Sequence, residues 1–188
     1  MSNGNNEDRR IRKTKKALRE ALVQLLHEKS IQNITVRELT DKADIHRSTF
    51  YANFKDVYEL YDHMEATMIQ EICDIVSGDY AFKSSEFFAK LLAYVNDNRE
   101  VSRLFFGGNI SASLYERLTS LFKNSFIECW QKEYNCISED MDYYVQYCLS
   151  GSLGAIGLWV SKGFEHPEKL VIMLSEIEAG VGNIIRKK

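Results

Sequence analysis

The sequence predicts an all-α protein of about nine helices. Three observations carry that prediction. A single proline, Pro167, interrupts 188 residues; apolar residues recur at three- and four-residue spacing over long stretches; and capping signals of the T-x-x-E and D-x-x-E kind stand just ahead of such stretches. A hydrophobic content of 45% is ample for a core at this length. No run approaches the ~18–20 apolar residues of a membrane span, and the start of the chain is polar and then basic, without the apolar segment of an export signal. A cytoplasmic protein with no membrane partner is expected. Cys73, Cys129, Cys136 and Cys148 form no C-x-x-C pair and read as packed, reduced thiols, so no metal site is expected.

The elements follow in order. Leu18, Ala21, Leu22, Leu25 and Leu26 form one stripe of a first helix over about 9–28, whose leading turns carry Arg9, Arg10, Arg12, Lys13, Lys15 and Lys16 as a cationic arm. Residues 1–8, ahead of that arm, are the only candidates for disorder. Thr35 and Glu38 make a capping box that opens a short helix, with Val36 and Leu39 inward. It stops near Ala43-Asp44, where aspartate tolerates a left-handed turn. A second short helix runs from about His46 to Ala52. Asp56 and Glu59 open a long helix to about Val76, with Leu60, Met64, Met68, Ile72 and Ile75 on one side, and Gly78-Asp79 punctuates its end. Further helices are expected from Ser84 or Ser85 to Asp97, from Asn98 to Phe106 before Gly107-Gly108, and from Ser113, capped with Glu116, to Tyr134. The last two run from Ser138 to Gly163, through Gly151, Gly154 and Gly157, and from Pro167 to Ile185.

Two helices crossing steeply need apolar contacts at the crossing, a small residue where backbones meet and a tight turn. Residues 35–54 meet each need: Val36, Leu39, Ala43, Ile45 and Phe50 supply the contacts, Thr40 is the small residue, and Ala43-Asp44-Ile45 is the turn. The second helix then exposes His46, Arg47, Ser48, Thr49 and Tyr51, a set able to donate to phosphates and base edges. Charge agrees with this helix-turn-helix reading. Residues 1–55 hold 12 Lys/Arg against 7 Asp/Glu, a surplus of +5, while residues 56–188 hold 12 against 20, a net of −8. Two domains are therefore expected: 1–55, the basic arm with the DNA-reading helices, and 56–188, a helical regulatory and dimerisation domain entered through 56–76.

The stretch ITVRELTDKADIHRSTFYANFKDVYEL, Ile34 to Leu60, resembles the DNA-binding domain of TetR-family (tetracycline-repressor-type) transcriptional regulators. The likeness lies in T-V-x-E-L, the A-x-I turn, S-T-F-Y and F-K-D-x-Y-E-L. YVNDNREVSRLFF and YVQYCLSGSLGAIGLWVSKGF are similar to the C-terminal domains of a Gram-positive subgroup that includes dihydroxyacetone-kinase regulators. The resemblance implies that Arg37, Arg47, Ser48, Thr49 and Tyr51 face operator DNA, with His46, Asn53 and Lys55 beside them. Arg47, followed by Arg37, is the first candidate for guanine readout; Tyr51 and Lys55 suit phosphates better. The chain departs from the pattern at His46, where a small capping side chain is usual, at Ala52 and Asn53, where bulkier rings are common, and at Val57, where a lysine is common.

The resemblance also implies an unidentified small-molecule ligand in the C-terminal domain and a homodimer on a palindromic operator, with repression as the commoner output and no cofactor required. Candidate pocket residues are His63, Met64, Met68, Phe88, Arg103, Phe126, Trp130 and Tyr147. Three glycines in one helix suggest that something packs closely on its backbone. The candidate seam is Gly151, Leu153, Gly154, Ile156, Gly157, Val171, Leu174, Ile177 and Val181. An enzyme is disfavoured, because E-x-x-H, G-x-x-x-x-G-K and G-x-S-x-G are all missing. The remaining alternative keeps the fold but contacts a protein in place of DNA, as an adaptor or coactivator.

Overall fold

Apolar spacing of three and four becomes helix wherever a cap starts it and a turn residue stops it. A computed structural model describes residues 3–77, 84–107, 110–134 and 140–186, and among these are nine α-helices and no strand. They are α1 (Asn3–Glu28), α2 (Val36–Ala43), α3 (Arg47–Tyr51), α4 (Val57–Val76), α5 (Ser84–Asp97), α6 (Arg99–Phe106), α7 (Ala112–Tyr134), α8 (Met141–Ser161) and α9 (Pro167–Arg186). A single 3-10 turn, Ile31–Asn33, joins α1 to α2. The chain divides into two compact units, Met1–Thr67 and Met68–Lys188, and the residues of α4 belong to both.

In the first unit α1 packs on α2 and α2 on α3. Leu18, Leu22, Leu39, Phe50 and Leu60 are its fully buried centre. Lys29 to Glu38 at 2.6 Å and Lys42 to Glu28 at 3.1 Å add polar ties between the end of α1 and α2. In the second unit α5 lies along α9, while α8 is flanked by α6, α7 and α9. Phe88, Leu92, Leu114, Leu118, Trp130 and Ile185 form the centre. The turn after α8 uses Gly163 at φ +90° and Phe164 at φ 66°, and the Phe164 ring packs against Trp159 and beneath Arg99 at 5.0 Å.

Two boundaries differ from the sequence expectation. α1 begins at Asn3, so the leading residues expected to be disordered extend the helix, whose packed later turns supply the nucleus from which polar turns propagate. The start of α7 is capped by Ser111 and not by Ser113, because the Ser111 hydroxyl accepts the Leu114 N–H at 3.1 Å. Gly78-Asp79, Gly108, Cys136 and Ser138 lie outside the described residues. Among the described residues no helix is long and apolar enough to cross a membrane.

Candidate nucleic-acid interface

The reading head is built by local chemistry. Thr35 accepts the Glu38 N–H at 3.2 Å and Glu38 returns to the Thr35 N–H at 3.1 Å, so the expected box is complete. The Lys29 ammonium, followed by the Thr35 backbone and hydroxyl, holds the Glu38 carboxyl down at about 2 from an ordinary 4.5. α2 ends on Asp44 at φ 54°, ψ 48°, the left-handed turn expected of an aspartate, and the Ile45 N–H reaches back to the Thr40 carbonyl at 3.0 Å. Thr40 is buried, with its hydroxyl donating to the Val36 carbonyl at 2.8 Å, so the close approach of α2 and α3 leaves no polar atom unsatisfied there.

α3 is pinned by Phe50, which is fully buried and touches Tyr51 and Phe54 at ring separations of 5.5 Å and 6.0 Å. With that side chain inward, Arg47, Ser48 and Tyr51 are exposed, Tyr51 at 59%, while Thr49 is half-buried. Arg47 has no ion-pair partner among the described residues. His46 occupies the N-cap without a side-chain cap bond, leaving the first N–H groups of α3 open to another acceptor. Arg37 on α2 is exposed and lies 3.7 Å from Asp41, a weak surface pair that a phosphate can displace.

Other nominated residues do different work. The Asn53 amide donates to the Thr49 carbonyl at 2.8 Å and closes the end of α3. The Lys55 side chain is exposed and its backbone N–H is bound by Glu59, whose own N–H goes to Asp56 at 2.9 Å. His63, nominated for a pocket, lies in the first unit, edge-on to Phe54 at 5.5 Å and 3.4 Å from the Lys15 ammonium. Burial, followed by Lys15 and Arg19, lowers its pKa below 6.5. Sequence reasoning missed this cluster because its partners stand 48 residues apart.

In the second unit a small, half-open cavity of about 90 Å³ lies between α8 and α9, over Phe88 of α5 and Phe126 of α7. Phe88, Phe126 and Tyr147 line it as nominated, and Trp130 is buried nearby, donating to the Glu178 carboxylate at 3.3 Å. Met64 and Met68 are buried in packing, and Arg103 pairs with Glu100 at 2.8 Å and covers the Phe164 ring. Glu178, which the sequence reading did not single out, and Cys148, expected only as a packed thiol, both line the cavity. A lone acidic residue in the buried row Leu174, Glu178, Val181, Ile185 was the signal available.

Of the nominated seam, Leu153, Ile156, Leu174 and Val181 are buried within this unit and Val171 is half-buried, whereas Gly151, Gly154 and Ile177 are exposed. A Cβ on Gly157 would sit 3.1 Å from the Phe106 carbonyl, so that glycine serves the packing of α6 on α8. The exposed apolar side chains of α8 and α9 are instead Tyr143, Tyr147, Leu158, Ile172, Met173, Ile177 and Ile184.

Residues 83–177, about half of the chain, match the TetR-type family described as "Transcriptional regulator C-terminal region". The protein belongs to the TetR family of transcriptional regulators. This TetR-family chain is therefore a transcriptional regulator. Its fold is shared with a TetR transcriptional regulator from Streptococcus agalactiae (21% identity, 94% of this chain, 99% of that one, TM-score 0.65). It is shared also with a transcriptional regulator from Aquifex aeolicus (21%, 89% and 99%, TM-score 0.71) and with the dihydroxyacetone kinase operon activator DhaS (17%, 92% and 97%, TM-score 0.67). In sequence, the uncharacterised HTH-type transcriptional regulator YxbF of Bacillus subtilis is 22% identical over 174 residues, 87% of this TetR-family chain. The chain spans 44% of that relative's length.

Proposed function

We propose that this TetR-family regulator is a sequence-specific DNA-binding protein that acts as a homodimer on a palindromic operator and represses by occupying it, until a small molecule releases it. The observation that carries the reading is α3, where a buried Phe50 fixes a helix that turns Arg47, Ser48 and Tyr51 to solvent. A guanidinium offers two parallel donors to guanine O6 and N7, while the hydroxyls and the uncapped N–H groups of α3 suit phosphate oxygens. The +5 surplus of residues 1–55 supplies attraction to the duplex. Repression by occlusion requires nothing beyond operator occupancy.

The homodimer is supported by the exposed apolar row of α8 and α9. Two copies on one duplex face must place their recognition helices about 34–36 Å apart. α4 is shared by both units and is the route we propose for coupling a ligand to that spacing. The test is a mobility-shift titration on the upstream region of the chain's own gene at two salt concentrations. Specific binding that Arg47→Ala abolishes supports the reading. A folded dimer with no specific site there or in a genome-wide fragment selection removes it in favour of the adaptor.

A further inference from the structure

We propose that the cavity between α8 and α9 is an effector site for a small apolar molecule bearing a protonated amine, and that a second copy of the chain closes it. The proposal rests on the homodimer reading and gives that dimer a ligand class and a place to hold it.

The first support is that the cavity rim and the exposed apolar face share residues. On α8, Tyr143, Tyr147, Gly151, Gly154 and Leu158 recur at spacings of four and three and so form one strip; on α9, Met173, Ile177, Gly180 and Ile184 do the same. Tyr147, Gly151, Met173 and Ile177 belong at once to these strips and to the cavity lining. Six of the seven large apolar side chains exposed on the two helices stand on these strips, the contiguous apolar surface that a second copy of the same two helices would cover. A Cβ on Gly151, Gly154 or Gly180 would meet nothing within 4 Å, so no packing inside the subunit requires these glycines. A facing helix of a second copy does, because bare backbone is what lets two helices approach closely. That copy would lie across the mouth of the cavity.

The second support is the chemistry of the walls. The space enclosed by one subunit is about 90 Å³, below the roughly 300–1,000 Å³ of ordinary small-molecule sites, so the site holds a ligand only with the wall that a second copy adds. Phe88, Phe126 and Tyr147 offer rings, Met173 and Ile177 offer apolar surface, and Glu178, 8% exposed, offers a carboxylate. Among the described residues of the lining there is no Lys, Arg or His. Ring faces together with a carboxylate favour an organic cation and disfavour an anion. Cys148 is no competitor for the amine, because burial and the Glu178 charge push its thiol up to about 12 and keep it neutral.

The test uses 2-phenylethylammonium as probe and 3-phenylpropanoate, of similar size and opposite charge, as control, with titration calorimetry for affinity and sedimentation equilibrium for assembly. The amine should bind, the carboxylate should not, and a saturating amine should lower the dimer dissociation constant roughly tenfold or more. Glu178→Gln should weaken the amine at least tenfold while leaving a dimer. Gly154→Arg, on the strip but outside the cavity and with open space for a side chain, should give a folded monomer with at least tenfold weaker amine binding. Tyr143→Glu, also outside the lining, provides a second variant should the first fail to fold. Wild type that stays monomeric with and without amine overturns the homodimer reading and this proposal with it. A wild-type dimer whose amine affinity survives in the folded monomeric variant overturns the closure alone. Equal binding of the two probes, or indifference to Glu178→Gln, overturns the ligand class alone.

Discussion

Arg47 stands at the first position of α3 with Phe50 buried behind it, so its guanidinium can be removed without disturbing the core. Arg47→Ala should therefore leave the thermal midpoint unchanged while lowering discrimination between specific and random duplex by about 1–3 kcal/mol, read from competition titrations. Thr35→Ala acts on the fold instead: losing the cap of α2 should cost about 1 kcal/mol in denaturant unfolding. Its partner Glu38 carries a pH dependence whose sign is fixed. The folded carboxyl titrates at about 2 and the unfolded one near 4.5, so the stabilisation is present above 4.5 and lost as pH falls towards 2. Glu38→Gln should lie below wild type at pH 7 and converge on it in acid. His63 is depressed from 6.5, so the unfolded chain takes up its proton first and stability falls as pH drops through 6.5. His63→Gln should flatten the slope of stability between pH 7 and pH 5.

At the scale of elements, α8 separates two kinds of glycine. Gly157 faces the Phe106 carbonyl at 3.1 Å, whereas Gly154 faces open space. Gly157→Ala forces that carbonyl to move, while Gly154→Ala gains helix propensity without a clash, so Gly157→Ala should be the less stable of the two by about 1 kcal/mol or more in denaturant unfolding. The sequence alone could not make this distinction. It displayed α2, the turn and α3 residue by residue, because a capping box, an aspartate turn and inward apolar positions are each local, and Asp44 is left-handed as expected. In α8 apolar or small residues stand on every side, with Leu153, Ile156 and Trp159 inward and Tyr143, Tyr147 and Leu158 outward. Periodicity marks such a segment as helix but does not say which face meets its own unit. The buried members of the nominated seam arise from that ambiguity, and Glu178 escaped notice because one acidic residue barely alters an apolar stripe.

Across the whole molecule, charge is divided ahead of α4 and not where the two units part: a +5 surplus lies in residues 1–55 and a net −8 in residues 56–188, whereas Met1–Thr67, with 12 Lys/Arg against 11 Asp/Glu, nets only +1. Attraction to a polyanion is thus concentrated in the stretch from the early basic turns of α1 through α3, ahead of the acidic start of α4. Removing residues 1–13 should make the dependence of log affinity on log salt shallower by about 0.9 for each phosphate that the arm neutralises, with specificity retained. An unchanged slope would take the arm out of the interface. The tryptophans are confined to one unit. The chain's two tryptophans, Trp130 and Trp159, both lie in the second unit, with Trp130 fully buried and bonded to the Glu178 carboxylate that lines the cavity. Tryptophan fluorescence, excited selectively beyond tyrosine absorption, therefore has no emitter in the first unit and takes one of its two signals from an indole bonded to the cavity wall. The molecule carries an unlabelled optical gauge of its own interior, with which effectors can be screened on the wild-type chain.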